Sequence, residues 1–136
     1  MDKNIKNLKA EDIMISPVLC SMAKTSVKVL VERLATTKYY GIPIINEDEK
    51  LVGIITEKNI LNAVNQGREL ATTMAEEIMT SPVVTAIKES MLSAIIKTMM
   101  EKDITRVVIT ENHKVVGIVS QHDIVKNLKK DDFVEM

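Results

Sequence analysis

Aromatic residues are nearly missing from this chain: Tyr39, Tyr40 and Phe133 are all it has in 136 residues, and there is no tryptophan. Its 18 basic residues are balanced by 19 acidic ones and dispersed along the sequence. Without a stacking platform or a basic stripe, binding to a polynucleotide is not expected. Cys20 is the only cysteine, which excludes an internal disulfide and a multi-cysteine zinc site. A reduced, half-buried thiol is its expected state. The only histidines, His113 and His122, leave thin material for a Cys/His nucleophilic pair. No nucleophile paired with a base, no metal-ligand spacing and no Walker-type phosphate loop is found, so neither a cofactor nor an enzymatic activity is expected. No apolar run reaches the roughly 18 residues that span a membrane. The start, Met1-Asp2-Lys3-Asn4, lacks the apolar stretch of a signal peptide, and a cytoplasmic location is expected.

What is present is a doubled sequence. Residues 10 to 18 read A-E-D-I-M-I-S-P-V, and residues 75 to 83 read A-E-E-I-M-T-S-P-V, identical at seven of nine positions. The same spacing relates Val27, Leu30, Val31, Leu34 and Ala35 to Leu92, Ile95, Ile96, Met99 and Met100. Both sets follow the i, i+3, i+4, i+7, i+8 stripe of a helix with one buried face. The offset then shortens by one, because Asn46-Glu47-Asp48-Glu49 is one residue longer than Glu111-Asn112-His113, as a hairpin loop tolerates.

Each half therefore predicts the same series of elements. A short helical turn (11 to 14; 76 to 79) is stopped by Ser16-Pro17 or Ser81-Pro82. A short strand follows (18 to 20; 83 to 85), with Thr25 or Ser90 placed to cap the striped helix, which runs to Lys38 or Lys102. Two β-rich runs come next, 42 to 45 and 51 to 55, matched by 107 to 109 and 115 to 119. A last helix carries Ile60, Leu61 and Val64, matched by Ile124, Val125 and Leu128. The fold class is α/β (α+β): two repeats of strand-helix-strand-strand-helix, spanning 8–67 and 75–130 and packed with pseudo-twofold symmetry. Gly67 is placed to end the last helix of the first copy.

The doubled stretch of greatest chemical interest is K-L-V-G-I-I-T-E-K-N, from Lys50 to Asn59, repeated as K-V-V-G-I-V-S-Q-H-D, from Lys114 to Asp123. A strand with glycine at its centre (Gly53, Gly117) allows a close approach to its backbone. It runs into a hydroxyl residue at a helix start, where amides and the positive helix end suit a ribose or a phosphate. The same hydroxyl-x-x-acid spacing is also an ordinary capping pattern, and both readings stand at this point.

This order of elements, with the doubled G-[ILV]-[ILV]-[ST]-x-x-[DN] signature, the doubled I-M-x-S-P-V motif and the Gly41-Ile42-Pro43-Ile44-Ile45 run, resembles the tandem CBS domain family over residues 8 to 130. The resemblance implies a Bateman module that regulates an attached or partner protein by binding an adenosine-containing ligand: AMP, ADP, ATP, S-adenosylmethionine or a dinucleotide. It also implies a homodimer, with an unidentified regulated protein as a further partner. The family's binding positions map onto two clefts. One would join Ile118, Ser120, His122 and Asp123 to Cys20, Ser21, Tyr40, Gly41, Ile42 and Pro43. The other would join Ile54, Thr56, Lys58 and Asn59 to Thr85, Ala86, Thr105, Arg106 and Val107. Asp123 and Asn59 would hold the ribose hydroxyls, with Asn59 the weaker because it has one acceptor. Arg106 would face phosphates. The alternative is a dimer-forming scaffold with no physiological ligand.

Overall fold

The computed structural model describes residues 5–36 and 41–132. They form two compact units, and these do not follow the order of the repeats: Val18–Val83 is one, while Met1–Pro17 joins Val84–Met136 in the other.

In Val18–Val83 the order is β1 (Ser21–Met22), α2 (Val27–Thr36), β2 (Gly41–Ile45), β3 (Leu51–Thr56), α3 (Glu57–Asn65) and α4 (Ala75–Ile78). In the other unit a 3-10 turn (Ile5–Asn7) and α1 (Ala10–Ile13) accompany β4 (Thr85–Ala86), α5 (Leu92–Lys102), β5 (Arg106–Glu111), β6 (Lys114–Ser120) and α6 (Gln121–Asp132). The architecture is mixed α+β, with sheet orders β1-β2-β3 and β4-β5-β6, each a short parallel pair beside an antiparallel hairpin.

The leading strands differ from the sequence expectation. They are two residues long and lie nearer the following helix, at Ser21–Met22 rather than 18 to 20 and at Thr85–Ala86 rather than 83 to 85. The two copies also start at different points, because Val108 N–H donates to Val84 O at 3.3 Å whereas proline, at the matching Pro43, has no N–H to give. Capping differs as well. Ser26, not Thr25, accepts the Val29 N–H at the start of α2, and Ser90 Oγ accepts Ile87 N–H at 3.1 Å in the turn before α5.

The expected stripes are the buried faces: Val27 and Leu30 on α2, and Leu92, Ile95 and Met99 on α5. The last members turn outward, with Met100 63% exposed. Lys38 lies outside the described residues. Gly67 ends α3 at φ 78°, with Gly67 N–H donating to Val64 O and Arg68 N–H to Ala63 O, both at 3.0 Å. Asn112 and His113 both take positive φ in the β5–β6 hairpin, which closes it one residue sooner than the Asn46–Lys50 turn.

Each core contains a helix borrowed from the other repeat's leading motif. Ile5, Ala10 and Ile13 are buried with Leu92, Ile95, Met99, Val107, Ile109, Val119 and Ile124. Ala75, backed by Ile78 and Met79, is buried with Leu30, Ile42, Ile44 and Ile55. The same segments cover the sheet edges. Ile15 exchanges backbone hydrogen bonds with Ile118 on β6 (2.9 and 3.2 Å), and Thr80 does so with Ile54 on β3 (2.9 and 3.0 Å).

Candidate functional site

In the unit that contains α6, β6 delivers Ser120 to the helix start and Asp123 follows one turn in. Ser120 Oγ donates to Asp123 Oδ2 at 2.7 Å and accepts from Asp123 N–H at 3.1 Å. The capping reading is therefore correct for this motif, but it consumes only part of it. Asp123 is half-buried, and its Oδ1 accepts no hydrogen bond among the described residues. One carboxylate oxygen holds the helix start, and the other is left for an outside donor.

The surrounding chain adds polar groups at the same end of the sheet. Arg106 stands directly across from Ser120 in the β5–β6 register, half-buried. Gln121 N–H donates to Thr105 O at 2.9 Å and its Nε2 donates to Ile104 O at 3.2 Å, which ties the start of α6 to the segment feeding β5. Sequence reasoning missed Gln121, because its counterpart Glu57 has no amide to donate. His122 is exposed in the first turn of α6. The Ser120 hydroxyl and the Asp123 carboxylate thus lie together at the helix start, with Arg106 across the sheet from Ser120.

Thr85, Ala86 and Val107 line a hollow of about 200 Å³ together with Ser90, Ala94, Ile95 and Thr98. The last four were not foreseen. Ser90, Ala94 and Thr98 recur every four residues, and that run of small side chains is the signal that would have revealed them.

In Val18–Val83 the matching motif is closed. Asn59 Oδ1 accepts from Thr56 N–H at 2.7 Å and from Thr56 Oγ at 2.9 Å. Its Nδ2 donates to Ile78 O at 2.9 Å and to Thr80 Oγ1 at 3.0 Å. Lys58 is exposed. Gly41 pairs with Thr56, Ile42 and Pro43 are buried, and Ile54 is held by Thr80. Ser21 is buried and accepts from the Arg33 guanidinium. Cys20 is half-buried, and burial pushes its thiol pKa up, so it is protonated at neutral pH. Tyr40 lies outside the described residues.

A polar hollow of about 300 Å³ opens beside Asn59, between Asn62 and Gln66 on one side and Arg68 and Glu77 on the other. Arg68 and Glu77 pair at 3.3 Å. The Met74 N–H, donated at 2.7 Å, holds the Glu77 carboxyl below the usual carboxylate range, against desolvation and with help from Arg68.

The strand glycines allow the close approach expected of them. A Cβ on Gly117 would lie 2.9 Å from Met14 Cγ, and one on Gly53 would lie 2.6 Å from Met79 Cγ. The group that closely approaches each strand is a methionine of the leading motif.

The doubled motif, its cap and its leading segment correspond to a known family. The pattern of the CBS domain matches residues 10–66 and again 75–130. The chain belongs to the CBS domain family. Its fold matches the CBS domain pair of protein MJ0100, solved in complex with 5'-methylthioadenosine and S-adenosyl-L-methionine, with a TM-score of 0.82 and 29% identity, over 90% of this chain and 96% of that one. It likewise matches an uncharacterized conserved protein from Pyrococcus horikoshii, with a TM-score of 0.84 and 25% identity, over 95% of this chain and 96% of that one. Among curated proteins, the L-aspartate semialdehyde sulfurtransferase of Methanocaldococcus jannaschii is 31% identical over 115 residues, which is 84% of this chain and 22% of that protein. The chain spans less than half the length of the first curated relatives that it matches. No helix among the described residues of this CBS pair is long and apolar enough to cross a membrane.

Proposed function

We propose that this CBS pair is a regulatory module, without catalytic activity, that binds an adenosine-containing small molecule through Ser120 and Asp123. The observation that carries this reading is the uncommitted Oδ1 of Asp123. A ribose presents two neighbouring hydroxyl donors, and a carboxylate oxygen held by its partner oxygen at a helix start is a pre-set acceptor for them. Arg106 supplies a cation for the phosphate of an adenine nucleotide or the carboxylate of S-adenosylmethionine. The ligands of the MJ0100 pair belong to the same chemical class, which supports the choice of adenosine compounds as probes.

Titration calorimetry of the full chain with AMP, ATP and S-adenosylmethionine tests the reading. Asp123→Ala is expected to weaken binding by about 10- to 100-fold, since a hydrogen bond to a charged group is worth roughly 1.5–3 kcal/mol. The absence of heat and of any thermal shift with all three compounds at millimolar concentration would refute it.

Exposed apolar side chains favour a second reading, a homodimer or interaction scaffold: Leu61 (66%) and Val64 (53%) on α3, and Val125 (60%) on α6. Under that reading an oligomer forms at the same mass with and without nucleotide, as light scattering would report.

A further inference from the structure

The chain carries its own internal comparison, because the hydroxyl-x-x-polar motif occurs twice with different residues around it. At the first copy every hydrogen-bonding position of the Asn59 side chain is used: Oδ1 accepts from both Thr56 N–H and Thr56 Oγ1, while Nδ2 gives its two hydrogens to Ile78 O and Thr80 Oγ1. A side-chain amide has two donors, so none is left over. At the second copy, Ile13 and Ile15 stand at the positions of Ile78 and Thr80. Ile15 has no hydroxyl, and Asp123 has no hydrogen to give to a carbonyl, so the carboxylate keeps an oxygen that none of the described residues takes.

The pairing of residue types follows from this chemistry. An aspartate at 59 would turn a carboxylate oxygen toward the Ile78 carbonyl, two acceptors facing each other with no proton between them. An asparagine at 123 would find no hydroxyl on Ile15. The residue at the third position after the hydroxyl is therefore matched to the leading segment that crosses it.

We infer that Asn59 is a latch: with Thr80 and the Ile78 carbonyl it fastens the α4 segment to the start of α3, and so it is withheld from ligand. This makes Asn59 and Thr80 the residues that determine where the pair binds, with one adenosine compound per chain, at Ser120 and Asp123. The stoichiometry rests on the function proposed above; the latch does not.

Two measurements on the full chain test the inference separately. In calorimetry with AMP, ATP and S-adenosylmethionine, the expected result is one ligand per chain, weakened by about 10- to 100-fold in Asp123→Ala and kept within about twofold in affinity in Thr80→Val. Two ligands per chain, with one lost in Asn59→Ala, would overturn it. In urea unfolding, Asn59→Ala and Thr80→Val should each lower the midpoint, and the double variant should fall no further than Asn59→Ala alone, since the two changes remove the same bond. An unchanged midpoint in Asn59→Ala, or fully additive losses, would overturn the latch. If Asn59→Ala does not fold, the Thr80→Val midpoint decides, because that change removes one hydrogen bond and keeps the side-chain shape. No heat with any of the three compounds would sink the proposed function while the urea result still judged the latch.

Discussion

Gly117→Val is expected to destabilise the protein by about 1–3 kcal/mol, the usual cost of forcing extra atoms into a filled space. Valine favours a strand by up to roughly 1 kcal/mol over the scale of β-propensities, so the substitution would be neutral or stabilising if the glycine faced open space. It does not. A Cβ at Gly117 meets not only the thioether end of Met14, which could swing aside, but also Met14 Cβ at 3.1 Å, which is fixed to the backbone of the crossing segment. Met14→Ala in the same chain removes the outer atoms and should recover part of the loss. Met79→Ala, whose side chain lies over Gly53, should recover none of it. Urea unfolding of the single and double variants reads both. Rescue by Met79→Ala instead would mean that the leading segments pack the other way round.

Ala10→Asp should cost more, about 3–5 kcal/mol, because it places a charge with no partner among fully buried apolar side chains. Its effect should appear far from it in sequence. Ala10 has no exposed surface and shares a core with Leu92, Met99, Ile109 and Val119. Native-state hydrogen exchange should therefore show protection falling first in α5, β5 and β6, with β2 and β3 of its own repeat changing less. Ala75→Asp is the converse: Ala75 is buried with Leu30, Ile42, Ile44 and Ile55, so β2 and β3 should lose protection first. Loss confined to the repeat in which each substitution lies would refute the exchanged packing.

The helices were the most legible part of the chain. The stripe through Leu92, Ile95 and Met99 specifies a buried face wherever the helix finally rests, and the positions are buried as expected. Turn chemistry was also local: Gly67 needs only its own freedom at positive φ to stop α3. The leading strands lie one to three residues beyond their expected limits, because those limits depend on which partner residue can donate, and Pro43 and Val108 differ in that. At the candidate site the sequence placed Ser120 and Asp123 together, since their spacing is itself the capping geometry. It could not separate Asp123 from Asn59 by use. That difference lies in Thr80 and Ile15, which come to these positions only through the fold.

From its sequence alone this protein was committed to two copies of one α+β unit, to helices with one apolar face, and to a hydroxyl and a polar side chain at each repeated helix start, because periodicity and short-range spacing act within a few residues. The tertiary structure alone decided that each leading motif completes the other repeat's core, that methionines fill the space over Gly53 and Gly117, and that Asn59 is bonded shut while Asp123 keeps one oxygen that no described residue takes. The two leading motifs share one apolar pattern, so burial alone would let either sheet accept either one, and it is the path of the chain that brings Thr80 to Asn59 and Ile15 to β6.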